Sequence, residues 1–171
     1  MNERIWRLVA MLLLSAVCAG VAAQTCRNDI APTAPDSRFT NHGDGTVSDS
    51  ATGLRWKQCA EGLSGSGCAT GTAATFIWQA ALQRATDANF AGYTDWRLPN
   101  KNELESLVEQ RCYGPAINGA HFPNTPADWF WSSSPYAYGS NGAWRVNFGY
   151  GYVYGYSKNY AMYVRLVRGG Q

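Results

Sequence analysis

The residues best suited to chemistry in this sequence are tyrosines near its C-terminal end, and the chemistry that they suit is non-covalent binding. Four of them alternate with small residues, as Tyr150, Tyr152, Tyr154 and Tyr156. A tyrosine ring offers a large rigid contact area with one polar tip, and neighbouring Ser, Gly and Asn offer adaptable hydrogen bonds. The pattern therefore predicts a recognition surface. A half-buried strand is the plainer alternative, because tyrosine and valine at period two are ordinary strand residues.

Residue types that carry catalysis or bind metals are few and lie apart. His42 and His121 are the only histidines, and neither has a nucleophile or second ligand at a recognisable spacing. The serines at 132–134 lack the Gly-x-Ser-x-Gly elbow of a hydrolase nucleophile. Oxygen-bearing turn residues leave calcium open but do not fit EF-hand spacing: Asn41, Asp44 and Asp49. We therefore expect no catalytic residue, no metal site and no cofactor.

Four cysteines follow the first 23 residues and predict two disulfides, because an even number in an exported protein favours pairing. They are Cys26, Cys59, Cys68 and Cys112. Spacing alone allows three connectivities. We favour Cys59–Cys68, which closes a Gly/Ser-rich loop, and Cys26–Cys112, which ties the N-terminal segment to the body. Each bridge stabilises such a chain by about 2–4 kcal/mol.

The first 23 residues have the features of a secretory signal peptide. Arg4 and Arg7 precede an apolar run at 9–17, and Val-Ala-Ala at 21–23 is an acceptable cleavage site. We expect the mature chain to begin at Gln24 and to be exported to the periplasm, the cell surface or the medium. A lipoprotein acylated at Cys18 is less favoured, since bulky Val17 precedes it. No apolar run is long enough to span a bilayer comfortably.

Charge does not select a partner. The formal net charge is +2, and the Lys and Arg residues are scattered rather than clustered. A nucleic acid is therefore not the expected ligand, since binding it requires cations that follow the phosphate backbone. We expect a protein or glycan ligand on a cell or phage surface. The oligomeric state stays open.

Helix signals occupy the middle of the chain and strand signals its C-terminal half. Residues 75–88 and 100–110 show helical apolar spacing, with Thr75 and Asn100 as candidate N-caps and Glu103 completing a capping box. Residues 39–56 predict a hairpin. Further strands are predicted at 129–134, 143–148, 152–156 and 163–167. A short segment at 24–38 thus precedes one α+β domain at 39–171, with two helices packed on short antiparallel strands and stapled by disulfides.

Tryptophans supply the predicted framework of this domain. Trp96, Trp131 and Trp144 lie among apolar neighbours, and we expect all three to be buried. The four alternating tyrosines are expected to be exposed, because glycine separates them.

Three stretches carry a family resemblance. They are DGTVSDSATGLRW at 44–56, GYTDWRLPNKNELESL at 92–107, and FWSSSPY followed by AWRVNF and YVRLVR at 130–168. Together they resemble the DUF1566 or Lcl C-terminal domain family, which is also found in a collagen-like adhesin. The resemblance covers almost all of the mature chain and implies a C-type lectin-like fold with a receptor or adhesin function. A fixed-specificity glycan or glycosaminoglycan adhesin is the alternative, and an enzyme of the formylglycine-generating type is less favoured.

The tail at 132–171 is similar to the variable region of target proteins of diversity-generating retroelements. In those proteins adenines of a repeat are replaced, so codons such as AAC become codons for Tyr, Ser, Gly, Asp, His, Ala or Arg. Such residues alternate here with apolar Val146 and Phe148, and Gly155 belongs to the same reachable set. The resemblance implies twelve ligand-binding residues: Tyr136, Tyr138, Ser140, Asn141, Arg145, Tyr150, Tyr152, Tyr154, Tyr156, Ser157, Asn159 and Tyr160.

Overall fold

The computed structural model describes residues 24–169. The predicted leader, its cleavage site and Cys18 lie outside the described residues. The strands are β1 Thr25–Cys26, β2 Phe39–Asn41, β3 Thr46–Asp49, β4 Arg55–Lys57, β5 Leu63–Ser64, β6 Thr70–Gly71, β7 Thr75–Phe76, β8 Cys112–Tyr113, β9 Trp129–Pro135, β10 Gly142–Asn147, β11 Val153–Ser157, β12 Met162–Tyr163 and β13 Val167–Arg168. The α-helices are α1 Trp78–Thr86 and α2 Lys101–Glu105.

Two sheets form the body of the domain. One has the strand order β11-β10-β9-β12-β7 and the other the order β13-β4-β3-β2, while β1-β8 and β5-β6 are two-stranded ribbons. The paired strands are antiparallel except for β12 and β9, which run parallel. This arrangement confirms the α+β class, and the likeness to C-type lectins stays a prediction.

Helix α1 begins later than the sequence predicts. Thr75 is not its N-cap, because Thr75 and Phe76 form β7 and pair with β12. The helix is capped instead by Ile77, which has extended backbone and makes no side-chain capping bond. The apolar spacing is nevertheless used, since Ala81 and Ala85 face the core.

Helix α2 has the predicted cap but not the predicted length. The Asn100 side chain accepts a hydrogen bond from the Glu103 N–H, and the Glu103 carboxylate accepts one from the Asn100 N–H. The helix ends at Glu105 rather than near residue 110, because Val108 bridges Ile117. The capping box therefore fixes where α2 starts, and the tertiary pairing of Val108 leaves it little more than one turn long.

The predicted hairpin at 39–56 is part of a larger sheet. Strands β2, β3 and β4 follow one another as a meander, and β13 from the chain end pairs with β4. The single strand predicted at 163–167 is instead two strands in different sheets. The C-terminal segment therefore joins the two sheets.

Two cores lie on opposite sides of the five-stranded sheet, because neighbouring strand residues point to opposite faces. Phe130 belongs to the cluster that contains Val146 and Leu104, whereas Trp131 belongs to the cluster that contains Ala81 and Met162. Trp96 and Trp131 are buried, as predicted. The prediction for Trp144 is wrong, since it is half-buried at the surface of β10.

Both disulfides join the favoured partners, Cys26 with Cys112 and Cys59 with Cys68. The first links β1 to β8 at directly paired positions. The second closes the loop that contains β5. Within residues 24–169 no helix is long and apolar enough to cross a membrane.

Candidate binding surface

The predicted recognition residues surround β11, an edge strand of the five-stranded sheet. Tyr154 lies opposite Arg145 and Tyr156 opposite Ala143 on β10. Cross-strand partners share a face, so these four side chains lie on one side of the sheet. It is the side of the second core, the cluster that contains Trp131 and Ala143. The edge strand therefore presents its tyrosines beside an arginine of the neighbouring strand.

Exposed apolar surface is concentrated in this region. Eight large apolar side chains are exposed among the described residues, and five of them are tyrosines between 138 and 160. Their exposed fractions are 93% for Tyr138, 66% for Tyr150, 65% for Tyr152, 62% for Tyr154 and 55% for Tyr160. Tyr156 is half-buried, contrary to expectation, because its ring packs against the guanidinium of Arg145 and the ring of Tyr160.

A loop cluster lies at one end of the strands, where β9 turns into β10. The Lys158 ammonium donates a hydrogen bond to the Ser140 carbonyl at 2.9 Å, and the Lys158 N–H donates one to Asn141. These bonds hold the β9–β10 loop beside the residues that follow β11. The loop cluster consists of Tyr136, Tyr138, Ser140, Asn141, Ser157 and Asn159.

Tyr136 belongs to the packing as much as to the surface. Its ring meets Trp144 edge-on, with 4.8 Å between ring centroids. A Cβ atom at Gly155 would lie 2.5 Å from Cγ of this ring, and one at Gly142 would lie 3.1 Å from the Tyr136 Cβ. Glycine at 155 is therefore required by the packing of Tyr136.

A turn cluster lies at the opposite end, where β10 turns into β11. The rings of Tyr150 and Tyr152 are 6.0 Å apart, and Tyr113 stacks on Tyr150 with its centroid 6.4 Å away. Sequence reasoning missed Tyr113, which is 49% exposed and 37 positions before Tyr150. The Gly114 N–H donates a hydrogen bond to the Gly149 carbonyl at 2.9 Å and so places Tyr113 beside this turn, a contact between distant segments that leaves no local signal in the sequence.

Arg145 is stacked between two aromatic rings. Its guanidinium carbon lies 3.7 Å from the centroid of Trp129 and 3.8 Å from that of Tyr156. Burial beside these rings lowers the pKa of Arg145 below its usual value, although nearby Tyr156 and Asp128 act in the opposite direction. The sequence predicted Trp129 only as part of a strand. Its role in the stack could not be predicted, because the stack joins side chains of three neighbouring strands, β9, β10 and β11.

The twelve predicted residues thus do not form one flat face. Tyr154, Tyr156 and Arg145 lie on the side of the second core, while Tyr136 and Trp144 pack on the opposite side of the same strands. The loop cluster and the turn cluster lie at the two ends. Strand alternation explains the division, because residues at odd and even positions of β10 must point to opposite sides.

The histidines and turn acids are engaged in local structure. The His42 ring bonds to the Ser48 hydroxyl at 2.7 Å, and the His121 ring packs on Phe39. Asp44 accepts hydrogen bonds from the N–H and hydroxyl of Thr46. Among residues 24–169, no group of three or more His, Cys, Asp or Glu side chains is arranged to hold a metal ion.

A spacious cavity lies away from the tyrosines. It has a volume of about 690 Å³ and is lined by residues such as Asn41, Gly45, Gln58 and Phe90. Asn41 accepts from the Gly43 N–H, and Gln58 donates to the His121 carbonyl. Because its polar side chains already serve the surrounding turns, we place the candidate site at the tyrosine-rich strands.

Comparison with known families finds a match over most of the domain. A family model described as the Lcl C-terminal domain matches residues 45–168, well over half of the chain. The match includes both helices, the strands from β3 to β13 and every predicted recognition residue. No curated protein matches this sequence significantly.

Proposed function

The chain belongs to the Lcl C-terminal domain family, and from this premise we propose that it is an exported receptor or adhesin that binds a protein partner through its tyrosine-rich surface. The surface comprises the exposed tyrosines around β11 with Arg145. Two disulfides support export, because such bonds persist in oxidising compartments.

The observation that carries this proposal is the concentration of exposed tyrosines between 138 and 160. A monomeric domain gains nothing in stability from tyrosine rings left in water, whereas an interface gains a large contact area from each ring. Buried tyrosines are among the residues that contribute most to protein interfaces, and removing one costs roughly 2 kcal/mol or more.

The surface is separate from what stabilises the fold. Tyr138, Tyr152 and Tyr154 are exposed, whereas the adjacent strand residues Val146 and Phe130 are fully buried. Side chains at the exposed positions can therefore change without disturbing either core. This separation supports diversification of the tail by a retroelement, which we include in the proposal.

We propose binding without catalysis. The four cysteines between residues 24 and 169 are paired, and the histidine rings contact Ser48 and Phe39. The rings and hydrogen-bonding groups around β11 suit recognition, which requires no reacting group.

Alanine replacement tests the proposed surface. A variant with Tyr138, Tyr150, Tyr152, Tyr154 and Tyr160 changed to alanine should keep its melting temperature within a few degrees, as expected for exposed positions. Its affinity for a partner selected from a displayed protein library should fall at least about thirtyfold, equivalent to losing one strong contact.

The matched control replaces Ile30, an exposed apolar residue of the N-terminal segment, by alanine. This control should keep full affinity. Unchanged affinity in the tyrosine variant would show that the site lies elsewhere.

Sequencing the DNA downstream of the gene tests diversification separately. The expected result is a near-copy of the 3′ end of the gene that differs chiefly at adenines and is followed by a reverse transcriptase gene.

A further inference from the structure

We propose that Arg145 is a preorganised receptor for a single carboxylate of a protein partner, supplied by an aspartate or glutamate side chain. The inference rests on the proposed function, because Arg145 belongs to the tyrosine-rich surface. It adds the chemical class of the group that this surface recognises.

Arg145 differs from every other arginine between residues 24 and 169. Six of the others lie within salt-bridge distance of a carboxylate: Arg27, Arg38, Arg84, Arg97, Arg111 and Arg168. Arg55 bonds to the Tyr93 hydroxyl, and Arg165 bonds to backbone carbonyls and Thr125. Arg145 has no oxygen partner among the described residues, and its only polar contact is the Met162 sulfur, 4.0 Å from Nη1.

The guanidinium of Arg145 is nevertheless held in one orientation by aromatic rings. Trp129 and Tyr156 stack on its two sides, and Nε is enclosed without a hydrogen-bond partner. Stacking is a usual way to orient the planar fork of an arginine, and the fork matches the two oxygens of a carboxylate. The rotational entropy of this side chain is therefore already lost before a ligand arrives.

The stretch of chain that carries the tyrosines has positively charged side chains and no acidic ones. No aspartate or glutamate occurs after Asp128, whereas the same stretch contains Arg145, Lys158, Arg165 and Arg168. Arg165 is fully buried and Arg168 pairs with Asp95. Arg145 and Lys158 thus remain as positive groups without a salt bridge among the described residues, and both adjoin the tyrosines.

The adjoining cavity favours one negative charge rather than two. It has a volume of about 250 Å³, and Asp128 lines it together with Arg145, Trp129 and Tyr156. The exposed carboxylate of Asp128 repels any anion here, and it repels a doubly charged phosphate about twice as strongly as a singly charged carboxylate. A cavity of this size accommodates a single side chain.

The rings around the cavity favour a peptide rather than a sugar acid. Trp129 and Tyr156 are stacked on Arg145, Tyr160 meets Tyr156 edge-on, and Tyr163 packs on Phe130. Sugar rings bind by stacking on an uncovered aromatic face, and Arg145 covers one face of both Trp129 and Tyr156, the two rings nearest its guanidinium. We therefore assign the carboxylate to an acidic side chain of a protein.

The test uses a capped glutamate, N-acetyl-glutamate methylamide, titrated into the isotope-labelled protein. The indole N–H resonance of Trp129 and the Nε–H resonance of Arg145 report on the cavity. We expect saturable shifts at millimolar concentration, and no shift with capped glutamine. Arg145→Lys should weaken binding about tenfold, read from Trp129, because lysine keeps the charge but lacks the planar fork.

Arg168→Lys is the matched control, since Arg168 already pairs with Asp95, and it should leave the titration unchanged. Equal shifts with capped glutamine, or an unchanged affinity in Arg145→Lys, would overturn the proposal. Tighter binding of inorganic phosphate or of methyl glucuronide than of capped glutamate would also overturn it, because it would assign the cavity to another class of anion.

The result can be separated from that of the proposed function. If the alanine variant of the tyrosines loses its partner while capped glutamate does not bind, the carboxylate proposal alone fails. If capped glutamate binds Arg145 while the alanine variant keeps its partner, the carboxylate proposal stands and the tyrosine surface has been assigned wrongly.

Discussion

At the scale of single residues, contacts between a ring and a glycine decide which surface positions can vary. Gly155 lies on the exposed edge strand and belongs to the set of residues that adenine replacement can reach, yet it is buried beneath Tyr136. Position 155 therefore belongs to the framework as long as tyrosine occupies position 136. Variation at the two positions should be coupled.

Gly155→Ala tests this coupling. The added Cβ would lie 2.5 Å from the Tyr136 ring, so we expect a loss of about 1–3 kcal/mol in the free energy of unfolding. Adding Tyr136→Ala should recover part of that loss, measured by urea denaturation of both single variants and the double variant. Gly139→Ala is the control, because the nearest atom to its new Cβ would be 3.5 Å away. Additive losses in the double variant would contradict the coupling.

The tryptophans should divide according to burial. Trp131 is fully buried and its indole N–H donates to the Phe76 carbonyl at 3.0 Å, so Trp131→Ala should cost about 3–5 kcal/mol. Trp144→Ala should cost about 1–2 kcal/mol, because Trp144 is half-buried, and Tyr154→Ala under about 1 kcal/mol. Chemical denaturation measures all three, and an equal loss for Trp131 and Trp144 would place Trp144 in the core.

The sequence predicted the composition of the surface better than its geometry. Exposure of Tyr150, Tyr152 and Tyr154 follows from their alternation with small residues, and the structure agrees. The half-burial of Tyr156 could not be predicted, because it depends on Arg145 of the neighbouring strand and on Tyr160, which follows β11. Contacts that cross strands require the register, which local patterns do not contain.

At the scale of elements, buried and half-buried ion pairs hold the ends of short strands and helices. Arg38 donates to both oxygens of Asp49 at the end of β3, at 2.6 and 2.5 Å. Arg97 donates to both oxygens of Glu103 in the first turn of α2. Elements of three to five residues have little stability of their own, so these side-chain contacts fix where they begin and end.

Acid should weaken the fold through these carboxylates. Burial of Asp49 opposes its ionisation, but hydrogen bonds from Arg38, Thr52 and the Ala51 N–H outweigh that effect and lower its pKa. Stabilisation by a group with a lowered pKa is complete above its unfolded value of about 4, and is lost as the pH falls through the folded value. We expect urea denaturation to show a decline in stability below about pH 4.

Asp49→Asn is the corresponding variant. It should lose about 3 kcal/mol at neutral pH, because the nearly buried Arg38 keeps its charge without a counter-ion, and its stability should depend less on acid. Asp29→Asn is the matched control, since the Asp29–Arg27 pair is exposed and its loss should change little. An unchanged acid dependence in Asp49→Asn would assign the decline to other carboxylates.

Among the elements, the sequence predicted those with a chemical signal at their boundary. Asn100 and Glu103 correctly marked the start of α2, and the strands at 129–134 and 143–148 are close to β9 and β10. Thr75 was misread because an apolar helical pattern continues through β7, which becomes a strand only by pairing with β12. Tertiary pairing overrode the local pattern there.

At the scale of the whole molecule, the C-terminal segment holds the two sheets together. Val164, Leu166 and Val167 are fully buried, and they lie in or between strands of different sheets. Arg97 and Val167 also form a bridge through two backbone hydrogen bonds. The part of the chain that carries the tyrosines is therefore anchored on its C-terminal side by residues of both cores.

Deleting residues 165–171 should abolish folding. The deletion removes β13, the buried side chains of Leu166 and Val167, and the buried Arg165, on which the carbonyls of Lys57 and Gln58 depend. Circular dichroism and thermal melting should show no cooperative transition, whereas deletion of residues 170–171 alone should leave the melt unchanged. A cooperative melt in the longer deletion would show that the sheets associate without β13.

The bond between Cys26 and Cys112 also determines how the domain would carry tension if it were held by its N-terminal segment. A pull on that segment reaches Cys26 and passes through the sulfurs directly to Cys112, which lies 86 positions further along the chain. The bond thereby shields roughly 300 Å of extendable polypeptide from the load. Tyr113, stacked on Tyr150, follows immediately. Force from a bound partner would thus pass from the tyrosines through Cys112 and Cys26 to the N-terminal segment. The residues between the two cysteines would bear little of it.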